Sequence, residues 1–444
     1  MQPIAPGLHL RVKIYQNNKM NSTMLAKPFH KIAAVFFICS VLFSSCINDK
    51  CETTRTYVKY TPVIKNLAEI RDFKVMPAKN LEAFGKIWIY GKYLLVNEPK
   101  KGIHIFDNTN PSSPQALSFI SIPGNVDMAV RDNMLYADNY IDLLVINIAN
   151  PQSPTLEKRI ENSFQFYDMG NTSGLVVDYT EETVTEVVKD MDCNSPGGGV
   201  IMEDRAMAAD NSGSFGAPTA SGGGTPSRGG SMARFTLYKN YLYIIADEST
   251  LKTYDISSPA NPLKRQDCQM SWGMETLFPY KDNLFVGASG GMFIYSLSNP
   301  ARPAMVTQFR HANACDPVVV ENDIAYITLR NGTRCNSFSN QLDVVDVKDI
   351  YNPVLLKSYP MHNPHGLGID NSTLFLCDGS DGLKVFDATD VYKIDEKMLG
   401  HYTNLDTYDV IPNENTLILT SKSGIYQYDY SDPKNLKLLS RIAI

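Results

Sequence analysis

Two histidines lie three residues apart in Met361-His362-Asn363-Pro364-His365-Gly366, close enough to share a ligand. Neutral imidazoles are common zinc ligands, and His311 or Asp378 could complete such a set. Pro364 between them is incompatible with the helical presentation used by zinc-protease motifs. Loop packing is therefore the expectation, and no metal or cofactor is assigned. Asp378-Gly-Ser-Asp381-Gly has closely spaced oxygen donors but lacks the ligand spacing and distal Glu of a calcium loop, so it reads as a turn. Asp168, Glu275, Asp316, Asp406 and Asp409 could do acid/base work of the kind glycosidases use, yet no spacing selects a pair. Trp272 could stack on a sugar or a peptide, or fill space between elements. No Ser-His-Asp elbow, phosphate loop or dinucleotide fingerprint is present.

The chain around these residues has ordinary globular composition. Its 444 residues are 43% hydrophobic and 20% charged, with 28 Gly and 25 Pro. Disorder throughout, a collagen-like rod and a coiled coil are excluded on that basis. The net charge of −6 comes without a concentrated basic patch, so nucleic acid is not an expected partner. Eight cysteines in so long a chain do not make a disulfide-dense miniprotein.

Near the start, Ile32–Leu42 is an 11-residue apolar run preceded by Lys27, His30 and Lys31. That length fits the core of a secretory signal and is too short to span a bilayer as a helix. Small residues follow and lead into a cysteine, Phe43-Ser44-Ser45-Cys46, which resembles a bacterial lipoprotein signal. The resemblance implies removal of residues 1–45, a lipid on Cys46 and attachment to a membrane surface. An ordinary cleaved signal is the alternative. Residues 46–61 are polar and read as the lipidated cysteine with a short tether.

The strongest pattern is a recurring phrase of alternating apolar residues, a small polar or acidic residue and a Pro-containing turn. It occurs as GIHIFDNTNPSSP, LLVINIANPQSP, LKTYDISSPANP, MFIYSLSNPARP, LDVVDVKDIYNP, LKVFDATDVYK and IYQYDYSDPKN. The apolar runs close on Asp107, Asn147, Asp255, Ser296, Asp346, Asp387 and Asp429, at gaps of 40, 108, 41, 50, 41 and 42. Further period-2 runs, separated by Gly, Asn and Asp, precede each phrase, and one more run follows it. Four short strands in about 40 residues is the length of a propeller blade. The expected fold is all-β: a seven-bladed β-propeller of four-stranded blades over residues 62–444. Leu67–Val75 is expected to add an outer strand fastening the last blade to the first. These units resemble the LVIVD repeat, and the chain resembles LVIVD-repeat lipoproteins of Gram-negative bacteria in stretches such as 315–319, 363–370 and 426–432. The resemblance implies a β-propeller and no particular reaction. Asn147, Ser296 and Val391-Tyr392 depart from the pattern.

The long gap holds an insert, 165–231. Leu175–Val188 alternates as a hairpin would, whereas 18 of the 37 residues from Asn194 to Gly230 are Gly, Ser or Pro. The latter part reads as a flexible excursion before the third blade.

With blade strands lettered A to D from the centre, D→A connections and B→C turns share one face of the ring. The A→B and C→D turns share the other. The repetitive turns fall on the second face. The first carries the insert, the enlarged loop 330–341 and the other irregular loops, where function usually resides. Cys315 and Cys335 fall on this loop-rich face of the fifth blade, where export makes a disulfide the expectation; free thiols and a catalytic thiol are the alternatives. The expected function is a lipid-anchored binding or interaction module of the cell envelope, periplasmic or surface-exposed on the outer membrane. Its ligand, a protein or glycan, would meet Trp272, His311, Arg330, Arg334, His362 and His365, and the protein would be a monomer. The alternative is an envelope polysaccharide lyase or hydrolase using His and Asp around the channel mouth.

Overall fold

A computed structural model describes residues 50–164, 174–192, 227–310, 317–331 and 339–444. The chain divides into two compact units. The first comprises residues 1–59 and 183–203, the second residues 60–182 and 204–444. In the first, the described residues belong to two strands that pair with each other, and Thr56 and Thr185 share a hydroxyl hydrogen bond of 3.1 Å.

The second unit contains the seven-bladed β-propeller. Its blades span Ile87–Ser121, Met128–Ile160, Phe235–Lys264, Met274–Phe309, Val318–Pro360, Leu367–Tyr402 and Thr407–Ala443, each with four consecutive antiparallel strands. Blade 3 has a broken outer edge, in which Leu263–Lys264 and Cys268–Gln269 both pair with strand C. Strands A to C are almost wholly buried, because each sheet packs on both neighbours; strands D are half exposed. Apolar runs from adjacent blades, such as Phe285, Ile294, Val319, Ile327, Val344 and Leu376, therefore merge into shared clusters.

The repeat's fixed residues have local tasks. Each residue that closes an apolar run accepts a hydrogen bond from the backbone N–H two positions on. Examples are Thr109 N to Asp107 at 2.9 Å, Ala149 N to Asn147 at 2.9 Å and Ser298 N to Ser296 at 3.2 Å. Any short side-chain oxygen can make this turn, so Asn147 and Ser296 substitute for Asp without changing the blade. The A→B turns place Asp132-Asn133, Asn322-Asp323, Asn371-Ser372 and Glu414-Asn415 at positive φ, as two-residue turns matched to strand twist require.

The Pro-containing turns also join blades. Ser118 Oγ donates to Pro151 O (2.6 Å), Tyr136 OH to Pro259 O (2.8 Å), Tyr243 OH to Pro300 O (2.7 Å) and Tyr359 OH to Val391 O (2.6 Å). The acceptor is a backbone carbonyl, which is why Val391-Tyr392 serves in place of Asn-Pro. Ring closure repeats the device: Ser440 Oγ of blade 7 donates to Pro111 O of blade 1 at 2.6 Å. Beside it, the amides of Asn108 and Gln427 exchange two hydrogen bonds of 2.8 Å. Changing Gln427 to Leu leaves Asn108 facing an apolar group and should lower unfolding free energy by about 1–2 kcal/mol. Urea denaturation of the variant checks this, and an unchanged midpoint would refute it.

Three expectations are corrected. Leu67–Ile70 is a helical turn whose N-terminus is capped reciprocally, Glu69 N to Asn66 Oδ1 at 3.0 Å and Asn66 N to Glu69 Oε2 at 2.8 Å. The strand that follows, Lys74–Pro77, pairs with the outer strand of blade 1 and does not bridge to blade 7. Leu175–Asp192 is one strand paired with Lys50–Lys65, because the partner of its alternating run is the segment read as a tether. Residues 227–229, placed by composition in the flexible excursion, form a strand inside the ring.

The channel mouth and candidate functional site

On the loop-rich face, strand B of blade 5 ends at Leu329, and strand A of blade 6 begins at Leu367. These ends bring Arg330 and His365 together. The Arg330 Nη1 lies 3.0 Å from both ring nitrogens of His365, and Tyr408 of blade 7 meets the imidazole edge-on at 5.5 Å between ring centres. The loop is tied from below: Thr328 Oγ1 donates to His365 O (2.6 Å), and His365 N donates to Cys377 O (2.7 Å). Burial first, and the neighbouring guanidinium second, push the His365 imidazole down to about 3, so it stays neutral in ordinary buffers. Its NMR ring-proton shifts should therefore not titrate between pH 5 and 8, and a midpoint near 6.5 would contradict this geometry.

His362 plays a different part. Its backbone N–H, with that of Asn363, donates to the buried carboxylate of Asp378 at 2.7–3.1 Å. Lys384 Nζ completes that carboxylate at 2.5 Å. Asp378 thus holds the 360–366 loop and is a structural anchor. Trp272, in the loop entering blade 4, is 71% exposed, and Gly273 at φ +75° makes the turn that presents it. Of the six expected ligand contacts, Trp272 and His362 are exposed, while Arg330 and His365 are built into the mouth. His311, Arg334, Cys315, Cys335, Cys46, Asp168 and Asp316 lie outside the described residues.

Below the mouth is a buried polar centre that sequence reasoning largely missed. Lys86, at the start of blade 1, donates to Met232 O at 2.6 Å. Asp127 accepts Arg234 N at 2.7 Å and Phe235 N at 3.2 Å. Ser231 Oγ donates to Asp409 at 3.3 Å and accepts Leu367 N at 3.0 Å. Burial pushes the Asp409 carboxyl up to about 8 and the Lys86 ammonium down to about 8. A Cβ on Gly230 or on Gly366 would collide with the Asp409 carboxyl, so that group is walled in on both sides. A carboxyl so enclosed does not face a substrate, and this arrangement lends no support to a hydrolase or lyase. The signal available in sequence was positional: Asp127 and Asp409 both sit where inner strands begin. Beneath this centre a cavity of about 320 Å³ is lined by Ser231, Phe278, Tyr280, Glu321, Asp370 and Pro412, among others.

This geometry defines the class: a seven-bladed β-propeller built from repeats and closed on itself. Residues 85–120, 125–161 and 229–268, in blades 1 to 3, match the LVIVD repeat. Among solved structures, the computationally designed Ika8 protein is similar at 11% identity and a TM-score of 0.47, covering 81% of this chain and 89% of that one. Saccharomyces cerevisiae Sqt1 is similar at 7% identity and a TM-score of 0.47, with 82% and 86% covered. BamB from Moraxella catarrhalis is similar at 9% identity and a TM-score of 0.45, with 84% and 91% covered. At these scores the likenesses carry no argument about function. No curated protein matches the chain. Among the described residues no helix is long and apolar enough to cross a membrane.

Proposed function

We propose that this propeller is an interaction module of the cell envelope, anchored through a lipid on Cys46, that takes a protein or glycan on its loop-rich face. The observation that carries the reading is Trp272, a large indole left 71% exposed on the face where Arg330, His365 and Tyr408 surround the channel mouth. A solvent-facing indole on a rigid scaffold is the kind of group that anchors interfaces. The opposite face spends its polar side chains on its own turns, as Asp107, Asp346 and Asp429 do.

Trp272 emission offers a direct test. Titration with envelope oligosaccharides, acidic and neutral, should shift it, and Trp272→Ala should abolish binding while moving the melting temperature by less than about 2 °C. No shift with glycans would direct the search to a protein partner; binding kept by Trp272→Ala would overturn the reading. The anchor is tested separately by labelling with an alkyne fatty acid in a bacterial host. Label and membrane pelleting should both disappear in Cys46→Ser.

A further inference from the structure

Blade 2 ends at Ile160 on the loop-rich face. Ser227–Gly229 pairs antiparallel with the innermost strand of blade 1, Ser227 opposite Tyr90 and Gly229 opposite Trp88. Strand A runs from the loop-rich face to the plain face, so the returning chain climbs the channel in the opposite sense. It then crosses beneath the mouth and starts blade 3 at Phe235. Residues 229 to 233 are all buried.

We infer that Ser227–Arg234 is a strap through the channel, which ties the blades together at the axis and sets the loops bearing His365 and Tyr408. Its contacts reach nearly the whole ring. Beyond the pairing with blade 1, Lys86 of that blade holds Met232 O, and Asp127, at the start of blade 2, holds Arg234 N and Phe235 N. Leu277 N of blade 4 donates to Ala233 O at 3.1 Å. Ser231 joins blades 6 and 7 through Leu367 N and Asp409. Among the described residues the four core strands of each blade are consecutive, and blades 1 and 7 share none. Propellers must resist opening along one seam, and an axial strap supplies that resistance where no strand is exchanged.

The link to the mouth is covalent and short. Leu367 is two residues from His365, and Asp409 is next to Tyr408. The hydroxyl of Ser231 therefore fixes both partners of the His365–Tyr408 ring contact. Gly230 is required by space, because the Asp409 carboxyl occupies the volume a side chain would need. The strap's role in positioning the mouth does not depend on what ligand the mouth takes.

Hydrogen–deuterium exchange on the full chain tests this, comparing the parent with Gly230→Ala and Ser231→Ala. Gly230→Ala should speed exchange on the order of tenfold in residues 227–235, 87–90, 366–368 and 408–410, and leave strands B and C of blade 5 unchanged. Ser231→Ala removes one hydroxyl and should speed 366–368 most and 408–410 less, because the Asp409 amide keeps Thr420, so it carries the test if the glycine variant does not fold. Gln427→Leu, which loosens the rim of the same seam, should leave 366–368 as in the parent; acceleration there would mean general loosening and overturn the inference. Loss of protection in 227–235 with 366–368 and 408–410 unaltered would also overturn it, as would free exchange of 227–235 in the parent.

Discussion

Replacing Asp142 with alanine should lower the unfolding free energy by about 3–5 kcal/mol, the range for breaking a buried ion pair on one side. The Asp142 carboxylate is fully buried and accepts four hydrogen bonds. Arg71 donates two (2.8 and 3.1 Å), Arg159 one (3.1 Å) and the backbone of Asn162 one (2.9 Å). Its loss would leave two guanidiniums, only 21% and 15% exposed, with weaker partners: Arg71 with the exposed Glu161 at 3.2 Å and Arg159 with the Arg71 carbonyl at 3.1 Å. It would also release the segment before the propeller, since Arg71 follows the helical turn whose Ile70 packs against Ile141 and Val177. Arg71→Ala should cost less, because Asp142 keeps Arg159. Urea unfolding of both variants makes the comparison, and an Asp142→Ala protein within about 1 kcal/mol of the parent would show the cluster to be dispensable.

The second large effect is on pH. Asp409 is raised to about 8 by burial, and burial raises Asp138 to about 7 even though three donors reach its Oδ1. Groups facing Asp409 are Ser231, Lys86 and Cys377, with Asp127 and Arg234 around Lys86. A carboxyl whose folded pKa exceeds its unfolded value holds a proton that the unfolded chain has released. Stability from that difference is fully present below about pH 4 and is lost as pH rises to 8, at up to about 1.4 kcal/mol per pH unit per group. Lys86 acts oppositely and later. With its folded pKa lowered to about 8, its penalty persists below pH 8 and is relieved between 8 and 10.5. The turn carboxylates Asp107, Asp255 and Asp429 are held below their usual range by hydrogen bonds, so what they contribute is lost on acidification below about pH 4. Stability should thus peak near pH 4–5 and fall towards 8. Asp409→Asn keeps a partner for Ser231 but cannot ionise, and should flatten the descent and exceed the parent at pH 8. Chemical denaturation at fixed ionic strength measures the profile. A parent more stable at pH 8 than at pH 5 would refute the assignment.

The repeat was legible because its instructions are local. Asp107 and its six counterparts sit where a short side-chain oxygen can cap a backbone N–H two residues on, and alternation marks strands whatever lies beside them. The capping pair Asn66 and Glu69 was equally local and marked a helix start; reading the apolar residues alone gave a strand. Leu175–Asp192 shows where local reading stops. Its alternation announced a strand, but the pairing partner lies more than a hundred residues away in Lys50–Lys65, and nothing in either segment names the other.

At the site, residue types were visible and their states were not. Arg330, His362 and His365 were placed on the right face because strand direction alternates regularly around a propeller. Which of them meets solvent depends on side-chain packing: Trp272 and His362 are exposed, whereas Arg330 and His365 are packed into the mouth. The Gly-Gly-Ser run at 229–231 is the sharpest case. Its composition matches a linker, since small residues suit both an unstructured chain and a crowded axis, and the Asp409 carboxyl against Gly230 decides between them. Sequence alone determined the blade, its number and its two unequal faces, because each follows from hydrogen bonds made within a few residues. Tertiary structure decided how the ring is strapped and which ionisable groups lose their water, because both depend on what distant strands bring to one axis.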